Sequence, residues 1–313
     1  MQPKVTIIMA TYNRAHFIVE TLESIQKQTY LNWECLIIDD GGNDNTSEVI
    51  DQILNEDLRF KFLKRPDTYQ KGLPGCRNYG LDLAKGSRII FFDDDDIVHP
   101  QNLELCVREL ENTDIYFCRY IRNVFFEKFD YDFDYSKDYD SFYVDVKYLD
   151  KMLKNELPFN SCAVMWKKEC FEKNRFVEHL MYAEEWELYS RIISSGYRGI
   201  SIEKCLFYGR KHSNSNTAEF YRNNPIRVES KQEAILLVVQ NLESKNLLND
   251  SLMRYFVQLA LSYKKFKLFS KILNASKLNF LKKSKWVIIY RILPFKIRMH
   301  KFYKKLIKPQ YGN

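Results

Sequence analysis

The sequence predicts an α/β protein built on a doubly wound, largely parallel sheet, and three observations carry that expectation. Apolar runs of strand length recur at KVTIIMA, WECLIID, RFKFLKR and RIIFF. Helical spacing separates them, and the connections are short and rich in Gly, Asn and Asp. Alternation of this kind builds parallel sheets with right-handed crossovers.

Taken in order, KVTIIMA (4–10) reads as a buried strand and Asn13 as the cap of a helix running to about Lys27. WECLIID (33–39) is the second strand, and DDGGNDN is a turn-rich loop before a helix near 46–55. RFKFLKR (59–65) is the third strand; a loop with Gly72, Pro74 and Gly75 leads to a helix over about 76–85. RIIFF (88–92) is the fourth, and Pro100 opens the next helix at a position proline tolerates. From 113 to 210 the pattern is mixed. DIYFCRYIRNVFF, SCAVMW and YRGISIEKCLFYGRK read as strands, FDYDFDYSKDYDSFYVD as a loop over the sheet, and AEEWELYSRIISSG (183–196) as a helix with a glycine stop. HSNSNTAEF is small, polar and expected to be mobile. From about Pro225 the pattern is helical, which sets an α/β domain over 1–222 and a helical, basic region over 223–313.

Charge divides the chain in the same way. From Ser251 onward there are 16 Lys and Arg and no Asp or Glu, whereas residues 1–250 carry a balance of −9. An acidic body with a basic tail disfavours a nucleic-acid partner. Aromatic content of 15% argues against disorder. No apolar h-region precedes the first strand, and no run of 18 uncharged apolar residues is present, so neither a secretory signal nor a spanning helix is expected. The seven cysteines are scattered without a CxxC pair and read as reduced core thiols of a cytosolic protein.

The informative stretch is FFDDDD (91–96), where four carboxylates close an apolar strand. Such charges repel and are costly to desolvate, so they form either a solvated turn or the seat of a cation. In open α/β sheets, ligands bind beyond the carboxyl ends of the strands. Those ends carry Thr11, Tyr12 and Asn13, then Asp39 and Asp40, then Asp93 to Asp96, and this convergence favours a ligand site. GxxxxGK[ST], GxGxxG and HExxH are absent, and the oxygens of DDGGNDNTSE fall at the wrong offsets for an EF-hand.

ATYNRAHFIVETLESIQKQTYLNWECLIIDDGGNDNT, GLPGCRNYGLDLAKGSRIIFFDDDDIVHP and AEEWELYSRI, in that order across roughly residues 3–215, resemble the successive motifs of inverting family 2 glycosyltransferases. The resemblance implies a GT-A fold, in which a Rossmann-like nucleotide-binding sheet continues into a mixed sheet. It also implies transfer of a sugar from a nucleotide-diphosphate donor, UDP being expected, to an acceptor hydroxyl with Mn²⁺ or Mg²⁺. Mapped by motif, Ala10, Thr11, Tyr12 and Arg14 line the donor nucleotide, with Tyr12 against the base and Asp40 accepting from it. Asp39 orients the adjoining loop. Arg77, Asp93 and Asp94 lie near the nucleotide, and Asp95, Asp93 and His212 hold the metal. Arg210 and Lys211 suit a diphosphate, and the segment after His212 reads as a lid. Glu185 is the general base, with Glu184 and Trp186 beside the sugars; the family most often has Asp where this chain has the longer Glu185. Plainer readings stand beside these: acids favoured at a helix N-terminus, a core Trp, a loop histidine, Asp96 as an N-cap, and His99 as a packing or capping residue.

The tail alternates cations with aromatic and aliphatic residues, and Arg291 and Pro294 interrupt its apolar run. Residues 264–308 are therefore expected to lie on an anionic bilayer through Trp286, Tyr290 and Phe295, or else to pack on the domain or form a dimer contact. The combined expectation is a metal-dependent enzyme on the cytoplasmic membrane face. It would act on a glycan or lipid-linked acceptor in surface polysaccharide synthesis. A nucleotidyltransferase and a non-catalytic nucleotide- or carbohydrate-binding protein are the alternatives.

Overall fold

The structure, a computed structural model, describes residues 4–212, 215–263 and 266–307. The chain divides into two compact units, Met1–Ala234 and Ile235–Asn313, with the break inside a helix.

In the first unit the elements run β1 (Val5–Thr11), α1 (Ile18–Gln26), β2 (Trp33–Asp39), α2 (Thr46–Val49), α3 (Asp51–Glu56), β3 (Phe60–Lys64), α4 (Leu73–Leu83) and β4 (Arg88–Asp93). They continue with β5 (Ile97–Val98), α5 (Asn102–Glu109), β6 (Phe117–Phe126), β7 (Ser141–Val144), α6 (Leu149–Leu153), β8 (Val164–Lys167), α7 (Glu184–Ser194), β9 (Gly199–Lys211), α8 (Asn216–Tyr221) and α9 (Pro225–Ser244), the last crossing into the second unit. One sheet holds all nine described strands in the order β3-β2-β1-β4-β8-β6-β9-β5, with β7 on β9. Pairs β3–β2, β2–β1 and β1–β4 are parallel, and β8 is antiparallel to β4 and β6. The expected parallel half continuing into a mixed half is what forms.

Strand β1 is buried on both faces, which explains its near-continuous apolar run, interrupted by Thr6, whose Oγ1 donates to Glu34 Oε1. Val5, Ile7 and Met9 join Ile18, Leu22 and Ile25 of α1 in one core, while Ile8 faces α4. That second contact requires glycine: a Cβ on Gly80 would sit 2.5 Å from Ile8 Cγ2. Register then places Ala10 between Ile38 and Asp93, and Thr11 beside Asp39, so three strand ends meet at one rim.

Several boundaries differ from expectation for local reasons. Asn13 does not cap α1; it adopts φ 55°, and its Oδ1 accepts hydrogen bonds from the Asn43 and Asp44 amides, tying two rim loops together. The helix near 46–55 is two short pieces, and α4 begins at Leu73 because Pro74 fits a first turn. Pro100 stays outside α5, its carbonyl accepting from the Thr29 amide. Asp96 is not an N-cap, because its Oδ1 accepts from the Arg210 amide across the sheet. His99 is buried: its Nδ1 accepts from the Gln101 amide, its Nε2–H donates to the Asp134 carbonyl, and burial pushes its pKa down to about 4. In the small polar stretch Ser213 and Asn214 lie outside the described residues; Asn216–Tyr221 forms α8, capped by Ser215 Oγ. All seven cysteines are free thiols.

The second unit contains α10 (Asp250–Ser262), α11 (Phe266–Ala275) and α12 (Phe280–Ile307), with α10 packed on both others. Tyr290 stacks on Phe269 with ring centroids 4.0 Å apart, and Trp286 is buried. These two rings therefore belong to the packing of the unit and are not presented to a bilayer as expected. Among the described side chains of α12, the exposed large apolar residues are Phe280, Leu281, Ile288, Ile292, Phe295 and Met299, the last five on one stripe at helical spacing. No helix among the described residues is long and apolar enough to cross a membrane.

Candidate active site

The acidic turn at the end of β4 is not a solvated loop. Asp94, Asp95 and Asp96 are each less than 10% exposed, and Asp93 is half-buried. Side chains from separate elements reach them. Arg14 Nε lies 3.5 Å from Asp94 Oδ1 and its Nη1 3.9 Å from Asp95 Oδ2. His212 Nε2 lies 2.8 Å from Asp95 Oδ2, and Arg122 Nη2 lies 3.9 Å from Asp96 Oδ2. This compensation is incomplete. Burial pushes Asp94 up to about 7 against the pull of Arg14, with the Asp95 charge adding to the rise. Burial, then Asp95 and Asp93, raises Asp96 well above the carboxylate range, opposed by Arg122.

A site that pushes its own carboxylates towards the neutral form is short of positive charge, and hard oxygen donors there fit Mn²⁺ or Mg²⁺. Asp93, Asp96 and Cys162 bring one donor atom each within 4.8 Å of one another, whereas Asp95 pairs with His212. Burial and the two carboxylates hold the Cys162 thiol well above its usual range, so it stays neutral and is a poor partner for a hard ion. Among the expected metal residues, Asp93, Asp95 and His212 carry the suitable donors.

Beside the turn, the rim from Ala10 to Arg14 is shaped by its neighbours. Tyr12 is 47% exposed, with Lys71 Nζ 4.8 Å from its ring centroid, so one aromatic surface is available at the strand end. Asp40 is buried; its Oδ1 accepts from Arg65 Nε at 2.6 Å and from the Gly72 amide at 3.2 Å. Gly72 has φ 129°, which disfavours any side chain there. Asp39 Oδ1 accepts from the Gly42 amide and so fixes the neighbouring loop.

Arg77 departs from its expected role. It is 2% exposed, sandwiched near Phe91 and Phe176, and engaged by acids at both ends. Its Nη2 donates to Asp93 Oδ1 at 3.1 Å, and its Nη1 faces Glu184 Oε1 at 3.5 Å. It is a buried strut between the acidic turn and α7, not a free guanidinium offered to a nucleotide. Glu184 is buried against it, pushed up to about 8 by burial and the Glu185 charge, with Arg77 opposing. Glu185, next in sequence, is half-buried. Trp186 donates from Nε1 to the Leu153 carbonyl, and Lys231 Nζ lies 3.7 Å over its ring. The N-terminus of α7 thus gathers Glu184, Glu185 and Glu187 where the helix dipole favours acids, directly after Ala183 at φ 66°.

Residues 6–173, more than half of the chain, match the model of glycosyl transferase family 2. The chain belongs to this family. A UDP-Glc:α-D-GlcNAc-diphosphoundecaprenol β-1,3-glucosyltransferase of Escherichia coli, WfgD, is 40% identical over 113 residues, which span 36% of this chain and 43% of that protein. Glycosyltransferase GlyG of Streptococcus pneumoniae serotype 4 is 32% identical over 114 residues, 36% of this chain and 37% of that one. The matched region therefore spans less than half the length of these curated relatives. Among solved structures, S. aureus TarS 1–349 in complex with UDP superposes with a TM-score of 0.63 at 18% identity, covering 91% of this chain and 78% of that one. The mannosyltransferase PcManGT from Pyrobaculum calidifontis, in complex with GDP-Man and Mn²⁺, gives 0.51 at 16% identity, covering 88% and 86%. These likenesses show the GT-A fold.

Within this family 2 frame, three cations at the site escaped sequence reasoning. Arg65 directly follows β3 and Arg122 lies in β6, where a basic residue reads as an exposed edge. Lys231 comes from a helix more than forty residues beyond Glu185. Arg210, expected to suit a diphosphate, is buried, donating from Nε to the Asp95 carbonyl and pairing with Glu20. It supports the acidic turn from behind.

Proposed function

We propose that the protein transfers a sugar from a UDP-sugar to a hydroxyl of a glycan or lipid-linked acceptor, with inversion at the anomeric carbon. The observation that carries the reading is the joining of two acidic sites by one buried arginine. Asp93 to Asp96, with Arg14, His212 and Tyr12, form a rim suited to a nucleoside diphosphate. Arg77 bridges that rim to α7, which carries Glu185. A divalent ion held by Asp93, Asp95 and His212 would neutralise the diphosphate and stabilise it on departure.

In the reaction, Glu185 takes the acceptor hydroxyl proton and the oxygen attacks the anomeric carbon. The bond from that carbon to the diphosphate oxygen breaks on the opposite face, and UDP leaves with the electron pair. UDP is favoured because TarS structures carry UDP and UDP-GlcNAc and the name of WfgD specifies UDP-Glc. A lipid-linked acceptor is favoured by relatives named for diphosphoundecaprenol or PP-undecaprenol substrates. Such an acceptor lies at a membrane surface, which the α12 stripe and its flanking Lys282, Lys283, Lys285 and Arg291 would suit. Of the expected contact segment, 264, 265 and 308 lie outside the described residues.

Calorimetric titration of UDP with and without Mn²⁺ tests the donor site. Wild type should bind UDP more tightly with Mn²⁺, and Asp95→Ala should lose about 10- to 100-fold of that metal-dependent affinity. Equal binding of GDP, or no effect of metal in wild type, would overturn the donor assignment.

A further inference from the structure

Helix α9 approaches the start of α7 with three residues on one face. Arg227, Ser230 and Lys231 stand at i, i+3 and i+4, the spacing that aligns side chains on a helix. Arg227 donates from Nη1 to the Met181 carbonyl and also holds Glu219 and Asn216 at 2.9 and 2.7 Å. Ser230 Oγ accepts from the Tyr182 amide and donates to the Tyr182 carbonyl, both at 2.9 Å. Tyr182 in turn stacks on Phe220 of α8, centroids 4.4 Å apart. One residue further along α9, Lys231 Nζ sits 3.7 Å over the Trp186 ring. Residues 181, 182 and 186 are thus gripped on both sides of Glu185, across a left-handed Ala183 that local propensity alone would not hold.

We propose that this face of α9 positions the base, with Lys231 presenting its ammonium to the acids at the start of α7 and fixing the ring next to Glu185. The inference rests on Glu185 being the base and extends that reading to residues outside the family motifs. Backbone grips at Met181 and Tyr182 determine where α7 begins. The Lys231–Trp186 contact determines the direction in which its first turn faces. Because α8 and α9 follow His212 in the chain, the same segment that begins at the acidic turn ends by holding the acceptor-side acid.

The charged groups facing Lys231 are Glu185 and Glu184 from α7. Around those acids stand Arg77 from α4 and the phenols Tyr182 and Tyr189. Burial pushes Lys231 down to about 8 despite both carboxylates, so its ammonium over Trp186 is lost as pH rises through that value. Tryptophan fluorescence reads the contact without any need for turnover.

The experiment uses the full chain as wild type, Lys231→Met, Lys231→Arg and Trp186→Phe. Turnover is read as UDP release from UDP-Glc and UDP-GlcNAc, donor binding by calorimetry with UDP and Mn²⁺, and the contact by fluorescence from pH 6 to 10. Lys231→Met should lower kcat about 10- to 100-fold, leave the Kd for UDP unchanged, and abolish a fluorescence transition near pH 8 that Trp186→Phe also abolishes. Lys231→Arg should restore most of kcat. The proposal is overturned if Lys231→Met keeps wild-type kcat, if UDP affinity falls in parallel with kcat, or if the transition survives in Lys231→Met. A wild type that binds UDP but releases none from either sugar would count against the transferase reading alone; the fluorescence comparison then decides whether Lys231 holds Trp186.

Discussion

The two acidic sites of the first unit are alike in composition and opposite in construction. At the end of β4, four successive aspartates are gathered by side chains from other elements: Arg14, Arg77, Arg122 and His212. At the start of α7, the acids are sorted one by one. Glu187 is locked to Arg191 one turn on at 2.6 Å, Glu184 is buried against Arg77, and Glu185 is left half-buried between them. A cluster whose charges are all engaged but under-compensated suits binding of a cation. A cluster that ties up two neighbours and leaves one suits proton transfer. Sequence adjacency therefore says little about surroundings; burial and partners differ residue by residue.

The sharpest way to break this comparison is to remove Glu185, which among the described residues has no ion pair as close as those of Glu184 and Glu187. Glu185→Gln keeps the shape of the side chain and should lower kcat about 100- to 10,000-fold, while UDP still binds with Mn²⁺. Steady-state turnover beside calorimetry checks it; unchanged turnover would return Glu185 to the ordinary acids of a helix N-terminus. The next effect falls on the strut common to both sites. Arg77→Met leaves Asp93 and Glu184 facing each other without a cation and should destabilise the fold by about 3–5 kcal/mol, read by urea unfolding. Arg77→Lys should recover only part of this, since one ammonium cannot span two carboxylates as a planar fork does. A neutral result would mean that the two sites are independent.

Much of this was legible in the sequence, and what was not has a physical cause. The parallel half of the sheet shows itself because strands buried on both faces have near-continuous apolar runs, as Val5 to Met9 do apart from Thr6. The carboxylates at the strand ends follow from topology. Motif order is the ground on which Glu185 is proposed. Asn13 misled because a residue suited to capping is equally suited to φ > 0, and here it fastens one loop to another. Arg77 misled because a motif fixes position but not exposure. Trp286 and Tyr290 looked like interfacial rings, yet a compact three-helix packing needs large side chains too. Lys231 gave no local signal, because its contact with α7 is tertiary.

The smallest expected effect separates the two sites by pH. Glu184 is held in the fold at about 8, against an ordinary value of 4.5, chiefly by burial. Between those values the folded chain retains a proton that the unfolded chain has released. Its contribution to stability is therefore greatest below the unfolded value and is lost as pH rises through the folded one, with a slope of at most about 1.4 kcal/mol per pH unit. Asp94, pushed up to about 7, contributes in the same sense over a window that closes earlier. Glu184→Gln removes only the α7 share. Urea unfolding at pH 5, 6.5 and 8 should show wild type losing stability across the series and Glu184→Gln losing less, with the largest gap at pH 8. Adding Mn²⁺ and UDP should flatten the Asp94 share, because a bound cation favours the ionised carboxylates, and leave the Glu184 share in place. Curves for the variant that run parallel to wild type at all three pH values would mean that Arg77 holds Glu184 ionised, and that the start of α7 is compensated after all.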